Sequence, residues 1–323
     1  MTAPLGEFDL IARYFTRPVR RAALGVGDDC ALLAAPAAEE QLAISSDMLV
    51  EGRHFLPGAD PSALGHKALA VNLSDLAAVG ARPHAFTLAM ALPEADPRWL
   101  EGFARGLFAL AEAHDIELVG GDTTRGPRNL CITVLGFVPR GQALLRSGAR
   151  PGDDLWVSGA VGDARLALGH RLGEWTLDAQ TQDTTFPRMD RPEPRVALGL
   201  ALRGVAQAAI DISDGLLADL GHLLRASKVG ATVDADACPA SAALASQPRQ
   251  RRRLCQLAGG DDYELLFTAP SAARNAVAAA AAQAATPVTR IGRIDAEPGL
   301  RLIDASGQVL DNVYAGFDHF RSP

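Results

Sequence analysis

The chain has 323 residues, 48% of them hydrophobic, 21% charged and only 5% aromatic, with a formal net charge of -7. That length admits two domains, or one large one, with a core drawn mostly from Ala and Leu. The acidic balance argues against a nucleic-acid surface, no apolar run reaches the roughly 20 residues that a bilayer helix needs, and the four cysteines show neither a CxxC pair nor a zinc spacing.

With no basic-then-apolar segment at the N-terminus, the expectation is a soluble, cytoplasmic protein with reduced thiols and no membrane contact. In chain order, residues 42–44 read as a strand and 63–79 as a helix with Leu64, Ala68, Val71 and Leu76 on its apolar side. Residues 85–92 read as a buried strand, and Pro97 opens a helix running to about His114. A short strand over 116–119 leads into a Gly120-Gly121 turn, and 130–138 is a strand rich in β-branched residues. A domain boundary falls near Arg150-Pro151-Gly152-Asp153, giving domains 1–148 and 149–323.

Past the boundary, 154–158 reads as a strand, 159–162 as a turn, and Asp163 begins a helix. The polar, proline-bearing stretch 180–194 is expected to be a surface loop. A strand over 208–212 feeds a helix over 214–227, and 265–267 is a strand before an Ala-rich helix over 271–285. Two short strands and an aromatic end close the chain. The basic run Arg249, Arg251, Arg252 and Arg253 reads as a solvated helix end or loop rather than a binding patch. The mixture of strands and helices places the fold in the α/β class.

The carboxylates are concentrated in short Gly- or Ser-rich segments: Gly27-Asp28-Asp29, Ser45-Ser46-Asp47, Asn72-Leu73-Ser74-Asp75, Gly120-Gly121-Asp122, Asp211-Ile212-Ser213-Asp214-Gly215 and Gly259-Gly260-Asp261-Asp262. Hydroxyl and carboxylate oxygens are what hard cations such as magnesium prefer, and magnesium commonly bridges carboxylates to phosphates. Each segment alone has a plain alternative: a turn at Asp28 and Asp29, a solvated helix position at Asp75, a helix cap at Asp214. Adjacent carboxylates do not sit comfortably in a core without cations. Arg146 can meet a phosphate through its planar fork or be a surface arginine, and His54 sits in a polar loop. No GxxxxGK[ST], HRD, DFG, GxGxxG, GxSxG or HExxH segment is present, so phosphate chemistry here needs another scaffold.

Taken in order, these segments resemble the thiamine-monophosphate kinase family. Further matching pieces are Gly6-Glu7-Phe8, residues 11–15, 68–77, Gly126, residues 146–149, Gly260-Asp261-Asp262-Tyr263-Glu264-Leu265 and Gly316-Phe317-Asp318-His319-Phe320. The resemblance implies the two-domain α/β fold shared with aminoimidazole ribonucleotide synthetase and selenophosphate synthetase. In that fold the N-terminal ATP- and magnesium-binding domain forms a barrel-like dimer interface, and a C-terminal mixed sheet with helices completes the active-site cleft.

The implied reaction is direct phosphoryl transfer from ATP to thiamine monophosphate, giving thiamine diphosphate, assisted by several magnesium ions, with room for a potassium ion. By the same resemblance Asp29, Ser45, Ser46, Asp47, Asp75, Asp122, Asp211 and Asp214 look like magnesium ligands. Gly121, Asp122, Arg146 and Ser213 look like the ATP site, and His54, Asp261 and Tyr314 like acceptor contacts. Asp261 stands where the family often has Glu, Tyr314 where it often has Trp, and Ser46 where Thr is usual. Direct transfer implies no covalent catalytic residue. The competing readings are a sister enzyme of the superfamily and, from another class, a non-catalytic nucleotide-binding protein.

Overall fold

The computed structural model describes residues 6–314. The closing motif at 316–320 lies outside the described residues. Contacts divide the chain into two compact units. One holds the chain through Leu76 together with Ala81–Gly141; the other holds Ala77–Gly80 together with the chain from Gln142 onward.

The first unit opens with a short helix α1 (Glu7–Leu10), a π turn (Ile11–Phe15) and a minimal ribbon of β1 (Ala22–Leu24) and β2 (Leu32–Leu33). Then follow β3 (Glu40–Val50), α2 (Pro61–Val79), β4 (Arg82–Leu92), α3 (Pro97–Ala113), β5 (Glu117–Arg125) and β6 (Asn129–Pro139). The four long strands make one sheet in the order β3-β6-β4-β5, antiparallel except for the parallel pair β4–β5. Asp96 caps α3 by accepting from the Arg98 N–H at 2.9 Å, with Pro97 at the first helical position, where its missing donor costs nothing.

One face of this sheet is a core face. Phe86, Leu88, Met90, Leu130, Ile132 and Val134 are buried, as are Leu69, Leu73 and Leu76 of α2 and Leu100, Phe103 and Leu107 of α3. The other face is open: Leu42, Ile44 and Met48 of β3 are 42%, 62% and 51% exposed. Among the described residues its pairing runs from β3 at one edge to β5 at the other.

Two expectations change here. The strand expected at 42–44 is the long β3, so Ser45, Ser46 and Asp47 lie inside it and alternate between its faces. Gly120-Gly121-Asp122 is not a turn but the middle of β5. Its register against β4 slips between Phe86 and Thr87, so Leu118 pairs with Phe86 and Gly120 with Thr87, leaving Val119 as the extra residue.

The second unit contains β7 (Asp153–Ser158), α4 (Asp163–Arg171), α5 (Ala179–Asp190), α6 (Val196–Ala201), β8 (Ala208–Asp211), α7 (Leu216–Ser227), β9 (Gly230–Asp234), α8 (Ala242–Ala245), α9 (Arg249–Ala258), β10 (Leu265–Pro270), α10 (Arg274–Gln283), β11 (Val288–Asp295), β12 (Gly299–Ile303) and β13 (Val309–Leu310). Its seven-stranded sheet runs β13-β12-β9-β11-β7-β10-β8, antiparallel except for β9–β12. Leu155, Val157, Ile210, Leu266, Val233 and Ile291 of the strands share a core with Leu216, Leu220 and Leu223 of α7.

The stretch 180–194 is not a loop: most of it is α5. Asp178 caps that helix through the Thr181 N–H at 2.8 Å, and Thr181, Thr185 and Met189 form its buried stripe at a spacing of four. Thr185 turns its hydroxyl onto the Thr181 carbonyl, which hides its polarity. The basic run is also less solvated than its composition suggests. It lies on α9, where Arg249 and Arg253 pair with Asp236 at 2.6 and 2.9 Å and Arg251 stacks 4.9 Å from the Trp175 ring centre.

Candidate active site

In the first unit two of the acidic segments, those of Ser45–Asp47 and Asn72–Asp75, meet where α2 passes under β3. Asn72 and Asp75 are three residues apart on α2 and so share a side of the helix. Asp75 accepts from the Ser45 hydroxyl at 2.5 Å, and the buried Asn72 accepts from the Asp47 N–H at 3.0 Å. Ser45 and Asp47, two apart on β3, therefore lie on its helix side. Strand alternation turns Ser46 the other way. Its hydroxyl sits 2.9 Å from that of Thr133 and 3.6 Å from the Cys131 sulfur, on the open face.

Asp122 is exposed on the outermost strand, opposite Ala89. Gly121 beside it has φ +151°, and a Cβ there would stand 1.8 Å from the Leu88 carbonyl oxygen. The close approach of β5 to β4 thus requires glycine on its own account. Asp29 lies in an exposed turn in which its N–H bonds the Asp28 carboxylate at 2.8 Å.

His54 follows β3 in a tight turn. Its Nδ1 accepts from the Val50 N–H at 3.0 Å, which places the ring proton of the neutral imidazole on Nε2. The turn is braced by Arg128, which bonds Glu51 at 2.5 Å and lies over the Trp99 ring at 4.9 Å. At the C-terminal ends of β4 and β5, a cavity of about 440 Å³ is lined by Glu7, Glu94, Thr123, Thr124 and Arg125 among others. Two carboxylates against one guanidinium make that lining a poor seat for phosphate.

In the second unit the two other acidic segments run side by side. The Asp261 N–H bonds the Ser213 carbonyl at 2.9 Å, the Tyr263 N–H bonds the Ile212 carbonyl at 2.8 Å, and the Ile212 N–H bonds the Glu264 carbonyl at 2.9 Å. The contact is so tight that a Cβ on Gly260 would stand 2.3 Å from the Ser213 oxygen. Asp261 and Tyr263 are held at φ +66° and +49°, uncommon for residues with a side chain, and the Tyr263 hydroxyl donates to Asp261 at 3.1 Å. Asp211 ends β8 and is buried; Ser213 and Asp214 are half-buried in the turn that follows.

Three residues hold this region: Asp219, which sequence reasoning passed over, and Asp262 and Glu264, which it quoted in motifs without assigning them a role. Asp219, in the first turn of α7, takes the N–H groups of Ser213, Asp214 and Gly215 on one carboxylate oxygen at 3.0, 3.1 and 3.1 Å. Burial, with the nearby Asp214 charge, raises its pKa to about 7. The fully buried Glu264 is held by Ser158 at 2.6 Å, Arg188 at 2.6 Å and both ends of the Arg195 fork at 2.7 Å. Asp262 is buried against the Gly162 N–H, with both oxygens at 2.9 Å; burial pushes its pKa well up, Glu264 and Asp163 adding to it.

Arg146 lies in a segment fixed to β8 and α7: the Ala209 N–H bonds the Leu145 carbonyl at 3.2 Å, and the Ser227 hydroxyl donates to the Arg146 carbonyl at 2.7 Å. Tyr314 is partly buried against the second unit's core, as are Leu300 and Leu310.

The donor set of both units is all oxygen and suits a hard divalent cation. Among the described residues no three His, Cys, Asp or Glu side chains converge on one point, so the structure presents pairs and turns rather than a finished metal cage.

The chain, with its mixed sheet and its second α/β unit, belongs to the AIR synthase related proteins. The N-terminal domain model of that family matches residues 27–138 and the C-terminal model residues 150–305. Within it, the chain belongs to the thiamine-monophosphate kinase family of enzymes. It is 49% identical over 328 residues to the thiamine-monophosphate kinase of Escherichia coli K12, covering 98% of this chain and 99% of that one. Among solved structures, the thiamine-monophosphate kinase of Stenotrophomonas maltophilia K279a matches with a TM-score of 0.84 and 48% identity, over 93% and 95% of the two chains. AaThiL complexed with AMPPCP and TMP matches with a TM-score of 0.77 and 30% identity, over 89% and 90%.

Proposed function

We propose that this enzyme transfers the terminal phosphoryl group of ATP to the phosphate of thiamine monophosphate in a direct, in-line step, producing ADP and thiamine diphosphate. The relative bound to AMPPCP, an ATP analogue, together with TMP supports this donor and acceptor. The observation that carries the reading for this chain is the backbone pairing of Asp211–Asp214 with Asp261–Glu264, which fixes an acidic turn at a strand end within a family of such kinases.

Both substrates are anions, so their approach requires cations. Magnesium, when bound, would screen that repulsion and stabilise the transferring group. In the N-terminal domain, proposed as residues 1–148, Asp29, Ser45, Asp47, Asp75 and Asp122 would hold it, with Ser46 through its main chain, since its hydroxyl is turned to the open face. In the second, residues 149–323, Asp211 and Asp214 would do so. The residues themselves do no covalent work. Asn72 holds the Asp47 backbone, Asp219 holds the Ser213–Gly215 turn, and Arg146 offers a fork to the polyphosphate. The acceptor oxygen is already deprotonated near neutral pH, so no general base is needed. His54, through its Nε2 edge, and Asp261 and Tyr314 are assigned to the thiamine monophosphate.

The open face of the first unit's sheet, with Leu42, Ile44 and Met48 uncovered, supports a homodimer through that face. Light scattering showing a stable monomer at working concentration would contradict the dimer. The reaction is tested by supplying ATP and magnesium with thiamine monophosphate or unphosphorylated thiamine and quantifying thiamine diphosphate. Product from the monophosphate alone is expected; product from neither acceptor would point to a sister activity.

A further inference from the structure

Two residues of the segment Asp261–Glu264 stand in the left-handed region that side chains seldom adopt: Asp261 at φ +66° and Tyr263 at φ +49°. Strain of this kind persists only where the surroundings enforce it, and it gathers at ligand sites.

The surroundings enforce it here through the alternate residues. Asp262 takes the Gly162 N–H on both carboxylate oxygens at 2.9 Å. The fully buried Glu264 is gripped by Ser158, Arg188 and Arg195. The N–H groups of Asp261 and Tyr263 go to the Ser213 and Ile212 carbonyls, so the backbone is fixed as well. The side chains of Asp261 and Tyr263 then meet: the phenol hydroxyl donates to Asp261 Oδ1 at 3.1 Å.

The two partners differ in burial. Tyr263 is 7% exposed, whereas Asp261 is half-buried. Packing fixes the ring, and the ring's hydroxyl in turn fixes a carboxylate that solvent reaches.

A carboxylate suits only one end of thiamine monophosphate. It repels the phosphate, and it attracts the positively charged thiazolium and the N–H donors of the aminopyrimidine. A rotating aspartate would lose side-chain freedom on making that contact, and one already held by a buried phenol loses less.

We propose that Tyr263 is a positioning residue for the acceptor: its hydroxyl holds the Asp261 carboxylate in the orientation that meets the cationic, N–H-bearing end of thiamine monophosphate. The inference rests on the assignment of Asp261 to that acceptor and adds the residue that orients it.

The test compares wild type, Tyr263→Phe, Asp261→Gly and the double variant. Calorimetry gives the Kd of thiamine monophosphate in the presence of AMPPCP, so binding is read without turnover. The Kd of AMPPCP and the Tm are measured alongside. Tyr263→Phe keeps the ring and is expected to raise the Kd of thiamine monophosphate about three- to tenfold, as loss of a hydrogen bond to a charged group does. AMPPCP binding should stay within about twofold, and Tm within about 3 °C. Asp261→Gly removes the carboxylate at a φ that suits glycine. In that background Tyr263→Phe should change Kd by less than about twofold, because the hydroxyl acts through the carboxylate.

A merely structural hydroxyl would lower Tm, and its effect on Kd would multiply with that of Asp261→Gly. Such multiplication overturns the inference, as does an unchanged Kd in Tyr263→Phe. Wild type that binds thiamine monophosphate but makes no thiamine diphosphate from it with ATP counts against the proposed reaction, while the Kd comparison still decides the role of Tyr263. Wild type that binds no thiamine monophosphate overturns the acceptor assignment of Asp261 and this inference with it.

Discussion

Gly121→Ala separates two reasons for a glycine beside Asp122. An ideal Cβ at this position stands 1.8 Å from the Leu88 oxygen and 2.9 Å from its nitrogen. Comfortable contact is about 3.5 Å, so β5 would have to part from β4 by more than about 1 Å. The pairs around it, Thr87 with Gly120, Leu88 with Gly121 and Ala89 with Asp122, would lose two or three ladder bonds worth about 1 kcal/mol each. Holding a residue with a side chain at φ +151° adds about 1 kcal/mol or more.

The expected loss is about 3–5 kcal/mol. For a unit of this size that is a fall in Tm of roughly 6–20 °C. Thermal melts followed by circular dichroism, with urea midpoints as a second scale, measure it. A melting temperature within about 2 °C of wild type, with weakened ATP binding alone, would refute the packing argument and leave phosphate approach as the reason for this glycine.

Asp47→Asn should cut turnover about a hundredfold or more while moving Tm by only a few degrees, because the side chain is half-exposed and the bond from its backbone N–H to Asn72 survives the change. Near-normal turnover at both limiting and saturating magnesium would remove Asp47 from the metal site. Glu264→Gln leaves Arg188 and Arg195 without their buried counter-charge and should cost about 3–5 kcal/mol in urea unfolding; a loss under about 1 kcal/mol would mean that the network relaxes freely.

His84 is buried on β4 against Phe137, with neither ring nitrogen bonded. Burial lowers its pKa, Arg21 and Arg82 lower it further, and Glu117 and Glu40 oppose them. With the folded value below 6.5, the stability it contributes is complete above pH 6.5 and is lost as pH falls through the folded value. His84→Phe should flatten that acid limb of the Tm profile, and an unaltered limb would show that other groups set it.

How far the sequence revealed this molecule can be read element by element. The helix α3 was legible because its cap, its N-terminal proline and its apolar period are all local. The helix α5 was not: its composition is polar and it contains Pro187, so only its packing and the Asp178 cap distinguish it from a loop. The start of β5 was legible as a strand over 116–119, but its continuation was read as a turn because two adjacent glycines usually mark one, and here they serve close strand contact. The strands β9 and β11 left no clear signal, since their pairing partners are distant in the chain.

In the site, the acidic segments themselves were visible. The alternation that sends Ser45 and Asp47 to one face and Ser46 to the other required the full length of β3. Asp219 could have been noticed as an acid in the first turn after Gly215. Glu264 could not have been assigned its role, because Ser158, Arg188 and Arg195 come from three distant places in the sequence.

The measurement that bears most directly on the account is the formation of thiamine diphosphate by the purified chain with ATP and magnesium. Stoichiometric ADP and thiamine diphosphate from thiamine monophosphate, with none from unphosphorylated thiamine, is the predicted result. ATP binding without thiamine diphosphate from either acceptor would contradict it.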